Sequence, residues 1–133
     1  MDKFPSMTET QETITIVPPG ENNTEKAAGP ITAKVCVSWF CKFIGLLGTK
    51  SIEKNNGLLF VHTNRIESIS IHTWGMTYPI GVVWIDKEMT ICEKRLMKPW
   101  QMAFPKCKNV LYILEIHPGR MKDFTLGKKV IIK

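Results

Sequence analysis

Apolar and polar positions alternate with a period of two along most of this chain, which is the signature of half-buried strands. Ile31, Ala33, Val35 and Val37 fall on one face of an Ile31–Val37 strand. Thr13–Val17 alternates enough for a short strand able to add to a sheet edge. Leu58–His62 and Ile66–Ile71 read as two more strands. In the second, Ile66, Ser68, Ser70 and His72 lie opposite Glu67, Ile69 and Ile71, so its inner face is ambiguous. Ile80–Ile85 is nearly all apolar, as in a central strand covered on both sides. Asp86, Lys87 and Glu88 turn the chain into a Met89–Leu96 strand. Pro99–Asn109 reads as a loop containing Trp100 and Phe104, followed by an apolar Val110–Ile116 strand. His117, Pro118 and Gly119 end that strand, Arg120–Phe124 suits one helical turn, and Val130–Ile132 is a last short strand.

One stretch has helical spacing. Ser38 is placed to cap it, Trp39, Phe40, Phe43, Ile44 and Leu47 form its apolar stripe, and Gly48 can close it. The pattern predicts a mainly β fold, α+β at the margin. It would be a small antiparallel sandwich or jelly-roll-like domain, or a partly closed barrel, with one short helix near residues 38–48.

Composition adds a boundary. Pro18, Pro19, Gly20, Asn22, Asn23, Gly29 and Pro30 break regular structure, so residues 1–30 are expected to be a flexible leader and residues 31–133 a single globular domain. The leader carries net charge −3 and the remainder +9, within a total of +6. A basic domain can attract phosphates, anionic lipid or acidic polymers, and scattered Lys equally serves solubility. None of the four cysteines shows the two-residue spacing of a zinc knuckle or redox motif. Cys36, Cys41 and Cys92 have mostly apolar neighbours and read as small core residues, with a disulfide left open. Residues 1–16 have no apolar signal core, and Lys34 and Lys42 interrupt the most hydrophobic stretch, so a cytoplasmic protein is expected.

Four blocks in order carry a family resemblance. They are SWFCKFIGLLG (Ser38–Gly48), NGLLF (Asn56–Phe60), IHTWGMTYPIGVVWID (Ile71–Asp86), and LMKPW with VLYILEIHPG (Leu96–Trp100 and Val110–Gly119). Together they resemble the uncharacterised family catalogued as domain of unknown function 192, in its HTFGMRFPIDVVFLD-type variant. The resemblance implies a small mainly β fold of sandwich or jelly-roll type. It implies no established activity, cofactor or partner. Where that pattern has Asp after Pro-Ile this chain has Gly81, where it has Arg after GLLG there is Thr49, and its late Gly-Asp is Gly127-Lys128. Two acidic positions are therefore lost.

The block before Pro79 concentrates the chemistry. His72 can bind metal or move a proton, or simply be a satisfied structural imidazole. A metal would need further ligands, and the spacing of His62, His117 and the cysteines points to none. Thr73 could be a nucleophile only with partners that the sequence does not name. Trp74, Met76 and Tyr78 alternate, which on a strand puts all three on one face, as a ligand platform or as core. Lys98 and Trp100 stand in a basic and aromatic run with Lys94, Arg95, Phe104, Lys106 and Lys108. That run suits stacking on single-stranded nucleic acid, or a solvated loop anchored by one buried Trp.

The expected function is a non-enzymatic binding or accessory module with His72, Thr73, Trp74, Met76, Tyr78, Lys98 and Trp100 as ligand candidates, and with no metal or cofactor. The partner would be an unknown small ligand or a protein. The alternatives are a small hydrolase-like enzyme using His72 as general base, and a basic-surface binder of nucleic acid or another polyanion.

Overall fold

Nine strands form among the residues described by the computed structural model, which are 12–20, 29–36, 51–62 and 69–133. They are β1 (Thr13–Val17), β2 (Ile31–Cys36), β3 (Asn56–Val61), β4 (Ile71–His72), β5 (Ile80–Asp86), β6 (Ile91–Met97), β7 (Met102–Ala103), β8 (Val110–Ile116) and β9 (Ile131–Ile132). Seven of them make one sheet in the order β6-β5-β8-β3-β2-β1-β9, and β4 pairs with β7 in a separate ribbon. The fold is mainly β, as the period-two pattern predicts. The helix expected near residues 38–48 and the positions Ile66 to Ser68 lie outside the described residues.

The sheet curls into a half-barrel, and its two ends approach each other beyond the strands. Ile91 N–H donates to Lys128 O at 2.9 Å, Gly127 N–H to Ile91 O at 2.9 Å, and Val130 N–H to Met89 O at 2.9 Å. Inside the curl lie Ile16, Ile31, Leu59, Val83, Ile85 and Leu114, with Phe124 filling the middle. The outer face is also apolar and buries Phe60, Ile80, Val82, Trp84, Met97 and Ile113 under the β4–β7 ribbon. β5 therefore has both faces covered, which explains its unbroken apolar sequence. The Trp84 indole N–H donates to Ile69 O at 2.8 Å, so the largest core side chain is also satisfied.

Three expectations change. The boundary at residue 31 falls inside the sheet, because β1 pairs with β2 on one side and β9 on the other. Its β-branched Thr-Ile-Thr-Ile-Val run fits the pleated surface, and Ile16 is fully buried. The sheet is not wholly antiparallel, since β2 and β3 run parallel. A parallel pair needs a connection of a dozen residues or more, which residues 37–55 supply. The turn expected at Arg120–Phe124 is a 3-10 helix over Pro118–Asp123, begun by His117, whose Nδ1 accepts from Gly119 N–H at 2.9 Å.

Arg120 holds that 3-10 segment in place. It is buried, its Nε donates to Asp123 Oδ2 at 2.6 Å, and one terminal nitrogen donates to Lys54 O at 2.9 Å while the other reaches Gly29 O. A planar fork with several donors suits this junction of three chain segments, where a lysine would satisfy fewer carbonyls.

Cysteine chemistry is also corrected. Cys92 and Cys107 form a disulfide, Cys36 is disulfide-bonded as well, and among the described residues no cysteine is free. Cys92 is the extra residue of a β-bulge, because consecutive Trp84 and Ile85 face Glu93 and Ile91. The bulge breaks the alternation of β6 and places Cys92, with Cys107, against the outer core.

Candidate functional site

Thr73 organises the ground beneath the candidate residues. It directly follows β4 and is fully buried. Its N–H donates to Gln101 O at 2.8 Å, and its hydroxyl donates to Lys98 O at 2.6 Å and accepts from Gln101 N–H at 2.9 Å. Its carbonyl accepts from Trp100 N–H at 3.0 Å and Met76 N–H at 3.1 Å. Every polar group of Thr73 is thus used to clasp the two turns together. The side chain considered as a nucleophile is a sealed structural hydroxyl, and it touches no ligand surface.

The clasped turn, Lys98 to Gln101, has Pro99 at its second position and Trp100 at its third, with Trp100 at φ 62°. That is the pattern of a type II turn, where glycine is the favoured third residue. The Gln101 Oε1 accepts from Lys98 N–H at 2.8 Å and closes the other side. Trp100 is 71% exposed. The loop reading with one buried Trp is therefore overturned, because this indole stands in solvent.

Alternation in the β4–β7 ribbon sorts the neighbours. Ile71 pairs with Ala103 and His72 with Met102. Ile71 and Ala103 turn inward to the outer core of the sheet, so His72 and Met102 share the outward face. Phe104, two residues after Met102, is also exposed. The Trp74 ring stacks on His72 with centroids 4.6 Å apart, and Trp74 N–H donates to His72 Nδ1 at 3.3 Å.

The expected single face of Trp74, Met76 and Tyr78 does not form. Gly75 adopts φ 84°, so the segment is a turn and strand alternation does not apply. Trp74 stays outside, Met76 is buried in the outer core, and Tyr78 packs partly buried against it. Of the sequence candidates, the structure brings His72, Trp74, Lys98 and Trp100 to the surface and removes Thr73 and Met76 from it. It adds Met102, which no motif marked, and keeps exposed Phe104 of the basic and aromatic run beside it.

Beside the patch lies a groove of about 340 Å³ between the free edge of β6 and β7, lined by Arg95, Leu96, Met97, Gln101, Met102 and Ala103. Arg95 lines it, and Arg95, Lys98, Lys106 and Lys108 of the same segment are exposed. Glu93 is the lone carboxylate of residues 92–109 and is already engaged, accepting from Arg95 Nε at 2.5 Å and from Lys106 N–H at 2.9 Å. The local field is therefore positive. Among the described residues no group of three or more His, Cys, Asp or Glu side chains could hold a metal ion.

Two buried features lie off this patch. Glu115 is paired in register with Leu58 and Val82, and burial pushes its carboxyl up to about 8 from the ordinary 4.5. Gly81, where the family pattern has an acid, faces Met121: a Cβ there would stand 2.5 Å from Met121 Cγ and 3.2 Å from Ile116 Cγ1. Met121 and Ile116 belong to the inner core of the curl, so the lost carboxylate position is on the opposite side of β5 from the ribbon.

Comparison with known proteins agrees with this architecture. The model of the family catalogued as domain of unknown function 192, described as an uncharacterised ACR, matches residues 21–132. The chain is 30% identical over 112 residues to the UPF0127 protein TK1120 of Thermococcus kodakarensis, covering 84% of this chain and 69% of that protein. A protein of unknown function from Novosphingobium aromaticivorans has the same fold, with TM-score 0.70, 11% identity, and coverage of 98% of this chain and 99% of the other. A proposed transcription regulator from Sinorhizobium meliloti shares it with TM-score 0.64 and 16% identity over 92% and 95% of the two chains. The match across the curled sheet and the ribbon, together with the identity to the archaeal protein, means that the chain belongs to the domain of unknown function 192 family.

Proposed function

We propose that this domain is a non-enzymatic binding module whose ligand face is the outer surface of the β4–β7 ribbon and its two clasped turns. Trp100 is the observation that carries the reading. A non-glycine residue in the left-handed region costs about 1–2 kcal/mol, more for a bulky one, and this Trp recovers nothing by core burial because it is 71% exposed. Glycine or asparagine would make the better turn. An indole held there against local preference, beside an exposed Trp74 stacked on His72, suits a surface that receives a ligand.

The disulfides support a location other than the cytoplasmic one expected from the sequence. Structural disulfides persist in oxidising compartments and are uncommon in reducing ones. With no free cysteine among the described residues, we infer that the domain works in an oxidising setting. No helix among the described residues is long and apolar enough to cross a membrane.

The test compares the wild type with Trp100→Gly on arrays of glycans, peptides, single-stranded nucleic acids and lipids. Trp100→Gly should raise unfolding stability by about 0.5–1 kcal/mol, since glycine relieves the left-handed strain and returns part of the gain as chain entropy. The same variant should lose binding to whichever class the wild type retains. A wild type that binds no class, or binding untouched by Trp100→Gly, would overturn the proposal.

A further inference from the structure

We propose that the aromatic face docks on an anionic lipid bilayer, the indoles of Trp74 and Trp100 entering the interfacial region and the surrounding cations meeting the headgroups. This rests on the binding-module reading and names its partner. Three observations point to a bilayer.

The exposed side chains are the ones that interfaces favour. Two indoles sit on adjacent turns, Met102 stands on the ribbon with Phe104 just beyond it, and all four are exposed. Trp has an apolar body with one polar N–H and settles at headgroup depth, while Met and Phe gain from acyl chains. A stacking site for nucleic acid would use the aromatics and gain little from Met102.

The segment that carries Trp100 is basic. Residues 92–109 carry five cations against one carboxylate, and Glu93 is occupied by Arg95 and Lys106 N–H. Arg95, Lys98, Lys106 and Lys108 remain exposed. Anionic headgroups attract a basic segment that also presents exposed apolar side chains.

The inner side of the two turns is already satisfied. Trp100 N–H, Met76 N–H, Gln101 N–H, Lys98 N–H and Lys98 O all have partners inside the clasp, and Trp74 N–H donates to His72. Such pairing suits entry into a layer poor in water, because an unpaired amide there is expensive.

The experiment is co-sedimentation of the full chain with vesicles of pure phosphatidylcholine and with vesicles one-third phosphatidylserine. Indole emission and its quenching by aqueous acrylamide are read in parallel. The expected result is binding to the anionic vesicles, a blue shift with protection from quencher, and weak binding to the neutral ones. Trp74→Ala with Trp100→Gly should lower the partition coefficient by about tenfold or more, and Lys98→Gln with Lys108→Gln by about tenfold at low salt. Leu126→Ser, an exposed apolar residue away from the patch, should leave it unchanged. Absence of binding to anionic vesicles, or binding that survives the double Trp replacement, would overturn the proposal. If vesicles fail while a glycan, peptide or nucleic acid is held through Trp100, the bilayer is excluded and the binding-module reading stands. If every class fails, both fall.

Discussion

Thr73 and Gln101 hold each other by a reciprocal pair of hydrogen bonds, Thr73 N–H to Gln101 O at 2.8 Å and Gln101 N–H to the Thr73 hydroxyl at 2.9 Å. That pair fixes the turn that raises Trp100. Thr73→Val keeps the volume but leaves Lys98 O and Gln101 N–H without their partner in a partly buried place. A loss of about 1–3 kcal/mol is expected in chemical denaturation. Thr73→Ser keeps the hydroxyl and should retain most of the stability. If Val and Ser behave alike, the hydroxyl does not organise the clasp.

Glu115 gives the fold a pH dependence of definite sign. Its folded carboxyl titrates near 8 because burial penalises the charge, and its unfolded one near 4.5. Between these values the folded state holds a proton that the unfolded state has released, so stability falls as pH rises. The contribution is complete below about 4.5, is lost progressively up to about 8, and is flat beyond. Each pKa unit corresponds to about 1.4 kcal/mol, so the total loss is of order several kcal/mol. Glu115→Gln removes a charge that the site does not favour. Melting curves should show the variant gaining on the wild type as pH rises from 5 to 9, an order-of-magnitude expectation from linkage. Parallel curves across that range would show that Glu115 does not titrate there.

The Cys92–Cys107 disulfide, with a sequence separation of 15, closes a loop carrying Arg95, Lys98, Trp100, Met102 and Ala103. In the chain-entropy account a closure of this length contributes about 3 kcal/mol. Cys92→Ser with Cys107→Ser should lower stability by about 2–4 kcal/mol. It should also open Pro99–Phe104 to limited proteolysis before the sheet unfolds, because the loop loses its tether to β6. Cleavage first elsewhere, with this loop protected, would count against the tether.

The strands were readable because their cause is local. Ile80–Ile85 announces burial on both faces, and Ile31–Cys36 announces one apolar face. The site was less readable because its causes are not local. Thr73 looks like a free hydroxyl until residues 25 and 28 positions away arrive to bind it. Trp74, Met76 and Tyr78 alternate in sequence, yet one positive φ at Gly75 cancels the strand rule. Met102 lies in a strand of two residues, too short to stand out from a loop, and Phe104 lies just beyond it. Cys92 hid its partner because a bulge shifts it out of the period of β6.

Gly81 explains where a family acid went. A Cβ there would lie 2.5 Å from Met121 Cγ and 3.0 Å from its Sδ, so the side chain of the 3-10 segment fills the space that an acid would need. Met121 and Gly81 are thus coupled: one is large because the other has no side chain. Gly81→Ala should destabilise by about 1–3 kcal/mol through overpacking of the curl's interior. Met121→Ala alone should also destabilise, by about 1–2 kcal/mol, through the packing that this partly buried side chain loses. The two together should cost less than their sum, since the new methyl group enters the vacated space and the residues touch. A double-mutant cycle by chemical denaturation measures this, with an interaction energy of about 1 kcal/mol or more expected in favour of the pair. Strict additivity would mean that Met121 swings aside freely, and that the absence of an acid at position 81 has a cause other than its packing.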